Sequence, residues 1–260
     1  MVKLPLRDKQ RWTALYRWMT RLGRHELRSL VLLALVLGSI WVFAKLAGEV
    51  MEGETHAFDE KVLLAMRNPA DRSDPLGPHW VEELGRDFTA LGGVGVLTLI
   101  TLSVAGFLVL QRKLGAALLV LVAIGGGLLL STLLKLGFDR PRPDLVPHGS
   151  YVYTASFPSG HSMLSAATYL TLGALLARVQ PRRRLKAYLL MLATLLTLVV
   201  GISRIYLGVH WPTDVLAGWT AGAAWALLCW LVARWLQQRG HVETDHEASE
   251  PSLEESESTN

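Results

Sequence analysis

Charged residues are scarce in this chain of 260 residues, and cysteine is almost missing. Asp, Glu, Lys and Arg make up 18% of the sequence, against about 25% in typical soluble domains. The lone cysteine, Cys229, lies in an apolar run. A disulfide framework within the chain and a cluster of thiolates around a metal are therefore excluded. Hydrophobic residues, by contrast, make up 51% of the sequence, which favours a membrane protein.

The charges that are present are unevenly distributed. Seven of the 22 acidic residues lie after Gly240, where there is no Lys or Arg. The chain before that tail therefore holds 26 basic and 15 acidic residues, a net charge of +11. Such a surplus can indicate nucleic-acid binding, but here the bases cluster beside apolar runs. That placement favours membrane topology and no nucleic-acid partner.

Six apolar stretches approach the length that crosses a bilayer, which is about 20 residues. Small residues within them, such as Gly125 to Gly127 and Gly218, are typical of closely packed membrane helices. The sequence therefore predicts an all-α fold, a bundle of six transmembrane helices with its active site at the extracytoplasmic membrane boundary. The predicted spans are Ser29–Gly48, Phe88–Leu110, Leu114–Leu134, Ser162–Ala177, Ala187–Ser203 and Val215–Ala233.

Lys and Arg flank these spans unequally. Seventeen of the 26 lie before the first span, between the second and third, between the fourth and fifth, or after the sixth. By the positive-inside rule these segments and both termini are expected in the cytoplasm. Residues 1–28 are expected to form a basic amphipathic leader, 29–239 the six-span domain of an inner-membrane protein, and 240–260 a disordered acidic tail. The other three connecting segments then share the outer face.

The outward segment after the third span begins with Lys135 and continues to Arg142 and Pro143. Pro141 and Pro143 force the chain out of helix into an extended conformation. That geometry can bring Lys135 and Arg142 onto one anion. The alternative is that both side chains reach lipid headgroups as interfacial anchors.

The second outward motif, Ser156 to His161, directly precedes the fourth span. Ser159 or a neighbour can cap the helix, whose first free N–H groups would form an anion site. Gly160 permits close backbone approach, and His161 stands at the rim of that site. The alternative is a helix cap with an incidental histidine.

The third outward motif runs from Ser203 to Asp214. Arg204 lies at the end of a membrane span, where a permanent charge is costly and usually functional. His210 and Asp214 are four residues apart, so the carboxylate can accept the imidazole N–H and leave the other nitrogen as a nucleophile. Asp214 can alternatively serve only as a charge at a helix N-terminus.

Together the three motifs describe a phosphoryl-transfer site without a metal. Three cations and a helix N-terminus would neutralise the phosphoryl oxygens. One neutral histidine would attack phosphorus, and the other would protonate the leaving oxygen. A zinc site needs three or four close ligands, and the paired-histidine motif H-E-x-x-H is missing from the sequence. We therefore expect no metal and no cofactor.

These motifs resemble, in the same order, the tripartite signature of the type 2 phosphatidic acid phosphatase superfamily. The superfamily includes membrane lipid phosphate phosphatases and soluble vanadium haloperoxidases, and six spans favour the membrane branch. The segment Arg86 to Gly93 is also similar to what bacterial members carry before the second span. The matching residues are Lys135-x6-Arg142-Pro143, Pro158-Ser159-Gly160-His161 and Ser203-Arg204-x5-His210-x3-Asp214.

The resemblance implies a role for each motif residue. His210 becomes the phosphohistidine, Asp214 orients it, and His161 acts as acid for the leaving group and then as base for water. The resemblance also implies five phosphate-binding residues, namely Lys135, Arg142, Ser159, Gly160 and Arg204.

The function predicted in this way is hydrolysis of a lipid phosphate or diphosphate at the outer leaflet of the bilayer. Undecaprenyl diphosphate is the favoured substrate, with phosphatidic acid and phosphatidylglycerol phosphate as the others. Two alternatives stay open: a phosphotransferase that uses the same phosphohistidine, and an anion or lipid transporter lined by the three cations.

Overall fold

The computed structural model describes residues 24–144 and 155–238. The expected leader, apart from its last residues, and the expected acidic tail lie outside this part of the chain. Within it, regular secondary structure is helical. The helices are α1 (Arg24–Met51), α2 (His56–Leu64), α3 (His79–Ala90), α4 (Val94–Leu110), α5 (Leu114–Gly137), α6 (Gly160–Val179), α7 (Arg183–Tyr206) and α8 (Pro212–Gln238).

The predicted all-α membrane bundle is confirmed. Five helices, α1 and α5 to α8, are long and apolar enough to cross a membrane, and the bent pair α3–α4 makes up the sixth candidate span. The fourth and fifth spans, which look short in the sequence, continue as helices of 20 and 24 residues. They are longer because polar turns such as Arg204 to Tyr206 extend the apolar core of α7.

The second candidate span differs from its sequence-based prediction because two helices with a break between them take the place of one helix. The chain bends by 49° between α3 and α4, at Leu91 to Gly93. A Cβ atom on Gly92 would lie 2.4 Å from Cγ1 of Val200 and 3.2 Å from the carbonyl oxygen of His161. The break therefore lets α3 pack closely against α7 and the start of α6, as only glycine can at this point.

Helix α6 is the centre of the bundle and packs against α4, α5, α7 and α8. Its contact with α8 is backbone to backbone. A Cβ atom on Gly218 would lie 2.6 Å from the carbonyl oxygen of Ser159, and one on Gly222 would lie 2.3 Å from that of Met163. Small residues thus bring together the first turns of α6 and α8, which carry motif residues.

Three phenylalanines join α1 to the two ends of the α5–α6 connection, next to the first and second motifs. The ring centroids of Phe138 and Phe157 are 4.9 Å apart, and Phe43 of α1 lies 5.9 Å from Phe157 and 6.4 Å from Phe138. Helix α1 also packs along α8. The described ends of the α5–α6 connection, residues 138–144 and 155–159, therefore pack against α1 through Phe138 and Phe157.

Candidate active site

The three sequence motifs lie together at one end of the bundle. Backbone hydrogen bonds join them: Ser156 N donates to Arg140 O at 2.9 Å, and Ser159 N donates to Asp214 O at 3.0 Å. The Arg142 side chain then crosses to the α7–α8 connection, where Nη1 donates to Val209 O at 2.9 Å. Arg140 and Asp214, for example, are 74 positions apart in the chain and are in contact in this site.

His210 is almost fully buried, at 1% exposure, and its hydrogen bonds define its tautomer. Nε2 lies 3.2 Å from Nη1 of Arg142. Because a guanidinium can only donate, Nε2 accepts with its lone pair, and the ring proton resides on Nδ1. Nδ1 lies 3.4 Å from Oδ2 of Asp214 and 3.3 Å from Oγ of Ser156.

Burial also sets the charge state of this imidazole. It lowers the pKa of His210 from 6.5 to about 3, although the nearby carboxylate of Asp214 opposes the shift. The ring is therefore neutral at physiological pH, with an unprotonated nitrogen beside Arg142. A neutral imidazole in this tautomer is a nucleophile that needs no prior deprotonation.

Asp214 is fully buried and its two oxygens have separate partners. Oδ2 accepts from the backbone N–H of Trp211 at 3.0 Å and from the hydroxyl of Ser156, besides facing His210. Oδ1 accepts from Nη1 of Arg140 at 2.6 Å. These hydrogen bonds fix the orientation of the carboxylate that faces the imidazole.

Arg142, beside His210, and Lys135 supply positive charge to the site. Burial lowers the pKa of Arg142, while the charge of Asp214 opposes the shift. The Lys135 ammonium donates to Ala155 O at 3.4 Å. The ammonium also lies 3.6 Å from where a Cβ atom of residue 160 would stand, which places it beside the first residue of α6.

Arg204 is the third cation and is 9% exposed. Its Nη1 donates to Oγ1 of Thr89 at 3.1 Å. Among the described residues its buried Nε has no hydrogen-bond partner. A buried guanidinium with an unpartnered N–H is suited to an anionic ligand, because an orphaned donor is costly.

His161 lies in the first turn of α6 against the α3–α4 break. Its Nε2 would be 4.0 Å from a Cβ atom on Gly93. The charges of Lys135, Arg142 and Arg204 all act on its ring. His161 therefore shares one electrostatic environment with the three cations and His210.

Ser159 occupies the N-cap position of α6, but its side chain makes no capping hydrogen bond. Its hydroxyl instead accepts from Oγ of Ser162 at 3.0 Å, and it is fully buried. The first-turn N–H groups of α6 are thus not occupied by a Ser159 cap. They point to the end of the bundle that holds the cations, as an anion site requires.

Four residues around Asp214 carry no role predicted from the sequence: Asp59, Arg140, Ser156 and Thr213. Arg140 lies in the first motif and Ser156 in the second. Their closeness in sequence to Arg142 and His161 could therefore have indicated a place in the site. Asp59 lies in the connection between the first two spans, where no spacing pattern links it to the motifs. Its position emerges only from the fold, because 81 residues separate it from Arg140.

Comparison with known proteins agrees with this geometry. The sequence profile of the PAP2 superfamily matches residues 116–238. Phosphatidylglycerophosphatase B of Bacillus subtilis (strain 168) is 36% identical over 146 residues, which cover 55% of this chain and 70% of the relative. The chain belongs to the PAP2 superfamily. The expected family is therefore confirmed. The expected enzyme class is confirmed with it, because the named relatives are phosphatases, which are phosphoric ester hydrolases.

Two further PAP2 comparisons extend this result. The crystal structure of a transmembrane PAP2 type phosphatidylglycerolphosphate phosphatase from Bacillus subtilis superposes with a TM-score of 0.66 at 29% identity, covering 78% of this chain and 96% of the other. The undecaprenyl-diphosphatase of Sulfolobus acidocaldarius is 31% identical over 117 residues, 43% of this chain and 52% of the relative. The bundle is therefore a membrane PAP2 fold over nearly the whole length of the superposed structure.

Proposed function

We propose that this chain is a membrane lipid phosphatase that works through a phosphohistidine on Nε2 of His210. The observation that supports this proposal is the environment of the His210 ring. The imidazole is buried and neutral, its Nε2 lone pair faces Arg142, and its Nδ1 proton faces Asp214. Family membership supports hydrolysis, and this geometry supports the nucleophile. The oxygens of a bound phosphate would meet the cations Lys135, Arg142 and Arg204 and the first turn of α6.

In the first step the Nε2 lone pair attacks phosphorus and forms an N–P bond. The bond between phosphorus and the leaving oxygen breaks, and His161, which takes up a proton when the phosphate anion binds beside it, gives that proton to the oxygen. Arg142, which donates to Nε2 in the free site, turns to the phosphoryl oxygens. Asp214 stabilises the positive imidazole that results, because its carboxylate faces Nδ1.

In the second step water takes the place of the leaving group. His161, now neutral, accepts a proton from water as the oxygen attacks phosphorus, and the N–P bond breaks. Inorganic phosphate leaves, His210 is again neutral, and His161 again holds a proton. The same donors that bind the phosphate stabilise both transition states, because they face the oxygens on which negative charge develops.

The substrate we propose is a lipid with a terminal phosphate. The name of the Bacillus relative favours phosphatidylglycerol phosphate, and that of the Sulfolobus relative favours undecaprenyl diphosphate. The sequence-based preference for undecaprenyl diphosphate stays a prediction. Phosphatidic acid presents the same phosphomonoester to the cations and completes the set to be compared.

The test is release of inorganic phosphate by purified protein in detergent from these three lipids. We expect His210→Ala to abolish release, while His79→Ala, a matched change at an exposed histidine of α3, leaves it unchanged. Denatured wild-type protein quenched during turnover should carry acid-labile phosphate. Normal turnover by His210→Ala, or phosphate found on a second lipid in place of solution, would refute the hydrolase proposed here.

We further propose that the reaction is independent of divalent metal. Among the described residues there is no group of three or more His, Cys, Asp or Glu side chains that could hold a metal ion. Activity should therefore survive EDTA, and vanadate should inhibit it as a mimic of the trigonal transition state. A strict requirement for Mg²⁺ would contradict the scheme.

The site is proposed to face the outside, with both termini in the cytoplasm, on the strength of the Lys and Arg distribution. Replacing Cys229, the lone cysteine, with serine gives a background for single-cysteine labelling. In intact cells an impermeant maleimide should label Glu83→Cys in α3 and not Gln111→Cys between α4 and α5. The reverse pattern would invert the topology.

A further inference from the structure

Asp214 has a charged partner, Arg140, at the oxygen that does not face His210. The Arg140 guanidinium places Nη1 2.6 Å from Oδ1 of Asp214 and Nη2 2.6 Å from Oδ2 of Asp59. One arginine thus bridges two carboxylates. Asp214 belongs to the third motif, whereas Asp59 belongs to α2, between the first and second spans.

Thr213 closes this cluster. Its backbone N–H donates to Oδ1 of Asp59 at 2.9 Å, and its hydroxyl donates to Oδ2 at 2.6 Å. Nη1 of Arg140 lies 2.8 Å from the same hydroxyl and donates to it. Each oxygen of Asp59 therefore has a donor, and the residue next to Asp214 is bound to the same carboxylate as Arg140.

Little water reaches these groups. The Asp59 and Asp214 side chains are 0% exposed and that of Arg140 is 11% exposed. The guanidinium carbon also lies 5.6 Å from the ring centroid of Trp211, whose Nε1 donates to Pro141 O at 3.0 Å. Charges in such surroundings are weakly screened, and their partners cannot readily be exchanged for solvent.

The arrangement determines which oxygen of Asp214 faces the imidazole. Arg140 takes Oδ1, so Oδ2 is left for Ser156, the N–H of Trp211 and Nδ1 of His210. Rotation of the carboxylate would break the short contact to Arg140. The direction of the Nδ1–H of His210, and hence of the Nε2 lone pair, depends on this contact.

We infer that Arg140 and Asp59 are positioning residues for the reaction, acting through Asp214 on His210. Helix α2 is accordingly part of the active-site structure and not only a connection between spans. The inference rests on the proposed function, because it concerns the nucleophile named there. The competing explanation is that the cluster merely fastens α2 to the bundle.

The two explanations differ in which kinetic constant changes. A misdirected nucleophile lowers kcat, because displacement by about 1 Å costs up to roughly 100-fold in rate. Phosphate binding uses Lys135, Arg142 and Arg204 and should persist. We therefore expect Asp59→Asn to lower kcat about tenfold and Arg140→Gln about 100-fold, with KM and the inhibition constant of inorganic phosphate within about threefold of wild type.

Matched variants separate positioning from general loss of charge. Glu49→Gln removes the carboxylate of an exposed pair with Lys45, and Arg86→Gln removes the cation of an exposed pair with Glu82. Both controls should keep wild-type kcat. Thr213→Ser, which retains the hydroxyl, should recover the kcat that Thr213→Val loses.

A double variant tests the direction of the effect. If Asp59 acts through Arg140, Asp59→Asn combined with Arg140→Gln should be no slower than Arg140→Gln alone, because the two losses are not additive. Wild-type kcat in folded Asp59→Asn would overturn the inference. So would a loss that appears equally in KM, phosphate inhibition and melting temperature, which is the pattern of a fastening role.

His210→Ala, assayed in the same series, keeps the two proposals distinguishable. If His210→Ala is inactive while the Arg140 and Asp59 variants are normal, the positioning role fails and the proposed nucleophile stands. If His210→Ala turns over normally, the proposed function and the inference fail together.

Discussion

Replacing Gly222 with alanine should push α8 away from α6. The new Cβ atom would lie 2.3 Å from the carbonyl oxygen of Met163 and 2.8 Å from Cβ of Ala166, whereas ordinary van der Waals contact begins at 3.4 Å. The shortfall is about 1 Å, and the nearest obstacle is backbone, which cannot rotate aside. Overpacking of this kind costs about 1–3 kcal/mol of stability.

The displacement should also change the geometry of the active site. Helix α8 begins just after His210 and carries Asp214, while α6 begins at Gly160 and carries His161 in its first turn. A shift of about 1 Å between the two helices changes the distance between nucleophile and acid. We expect kcat to fall by roughly 100-fold, although no motif residue is altered.

The assay is phosphate release together with the melting temperature in detergent. Gly125→Ala is the matched control, because a Cβ atom there meets nothing within 4 Å; we expect it to change stability by less than about 0.5 kcal/mol. If Gly222→Ala melts and turns over like Gly125→Ala, the close approach of α6 and α8 is not as described, and the reasoning fails.

Two further predictions concern His210 and Thr89. Burial lowers the pKa of His210 to about 3. Between about pH 6.5 and pH 3 the unfolded chain therefore binds a proton at this residue that the folded chain does not bind. The free energy of unfolding should accordingly fall as the pH decreases through that range. The melting temperature of wild type should drop more between pH 7 and pH 4.5 than that of His210→Gln; equal drops would contradict the buried neutral ring. Thr89→Val removes the acceptor of Arg204, and because a hydrogen bond to a charged group contributes about 1.5–3 kcal/mol, kcat/KM should fall about tenfold. Thr89→Ser should retain the rate, and equal rates in the two variants would exclude the contact.

Local signals predicted most of the bundle. Apolar runs of membrane length gave six spans, and Pro141 and Pro143 predicted that the chain leaves helix after α5, as residues 138–144 do. The break at Gly92 was not predictable in this way. Its cause is contact with Val200 and His161, and close packing against a distant helix leaves no periodic trace in the sequence.

The candidate site also contains contacts that local sequence predicts and contacts that only the fold creates. The motif spacing predicted the contact of His210 with Asp214 because the two are four positions apart at the start of a helix. The contact of Arg140 with Asp59 joins a motif to a connection far away in the chain, so it depends on how α2 docks. Ser159 shows the opposite case: the predicted N-cap position exists, but the serine hydroxyl accepts from Ser162 instead of capping.

The glycine contacts between α6 and α8 bear on how a lipid could reach the cations. Carbonyl oxygens at the start of α6 lie directly against Gly218 and Gly222 of α8. Because no side chains stand between the two helices at these points, none can rearrange, and we expect the helices to move together as one rigid unit. Only 11% of the apolar span of α1 is buried, so this helix is far less confined. We therefore expect that α1, at the edge of the bundle, moves when a lipid chain enters, while α6 and α8 keep their relative positions.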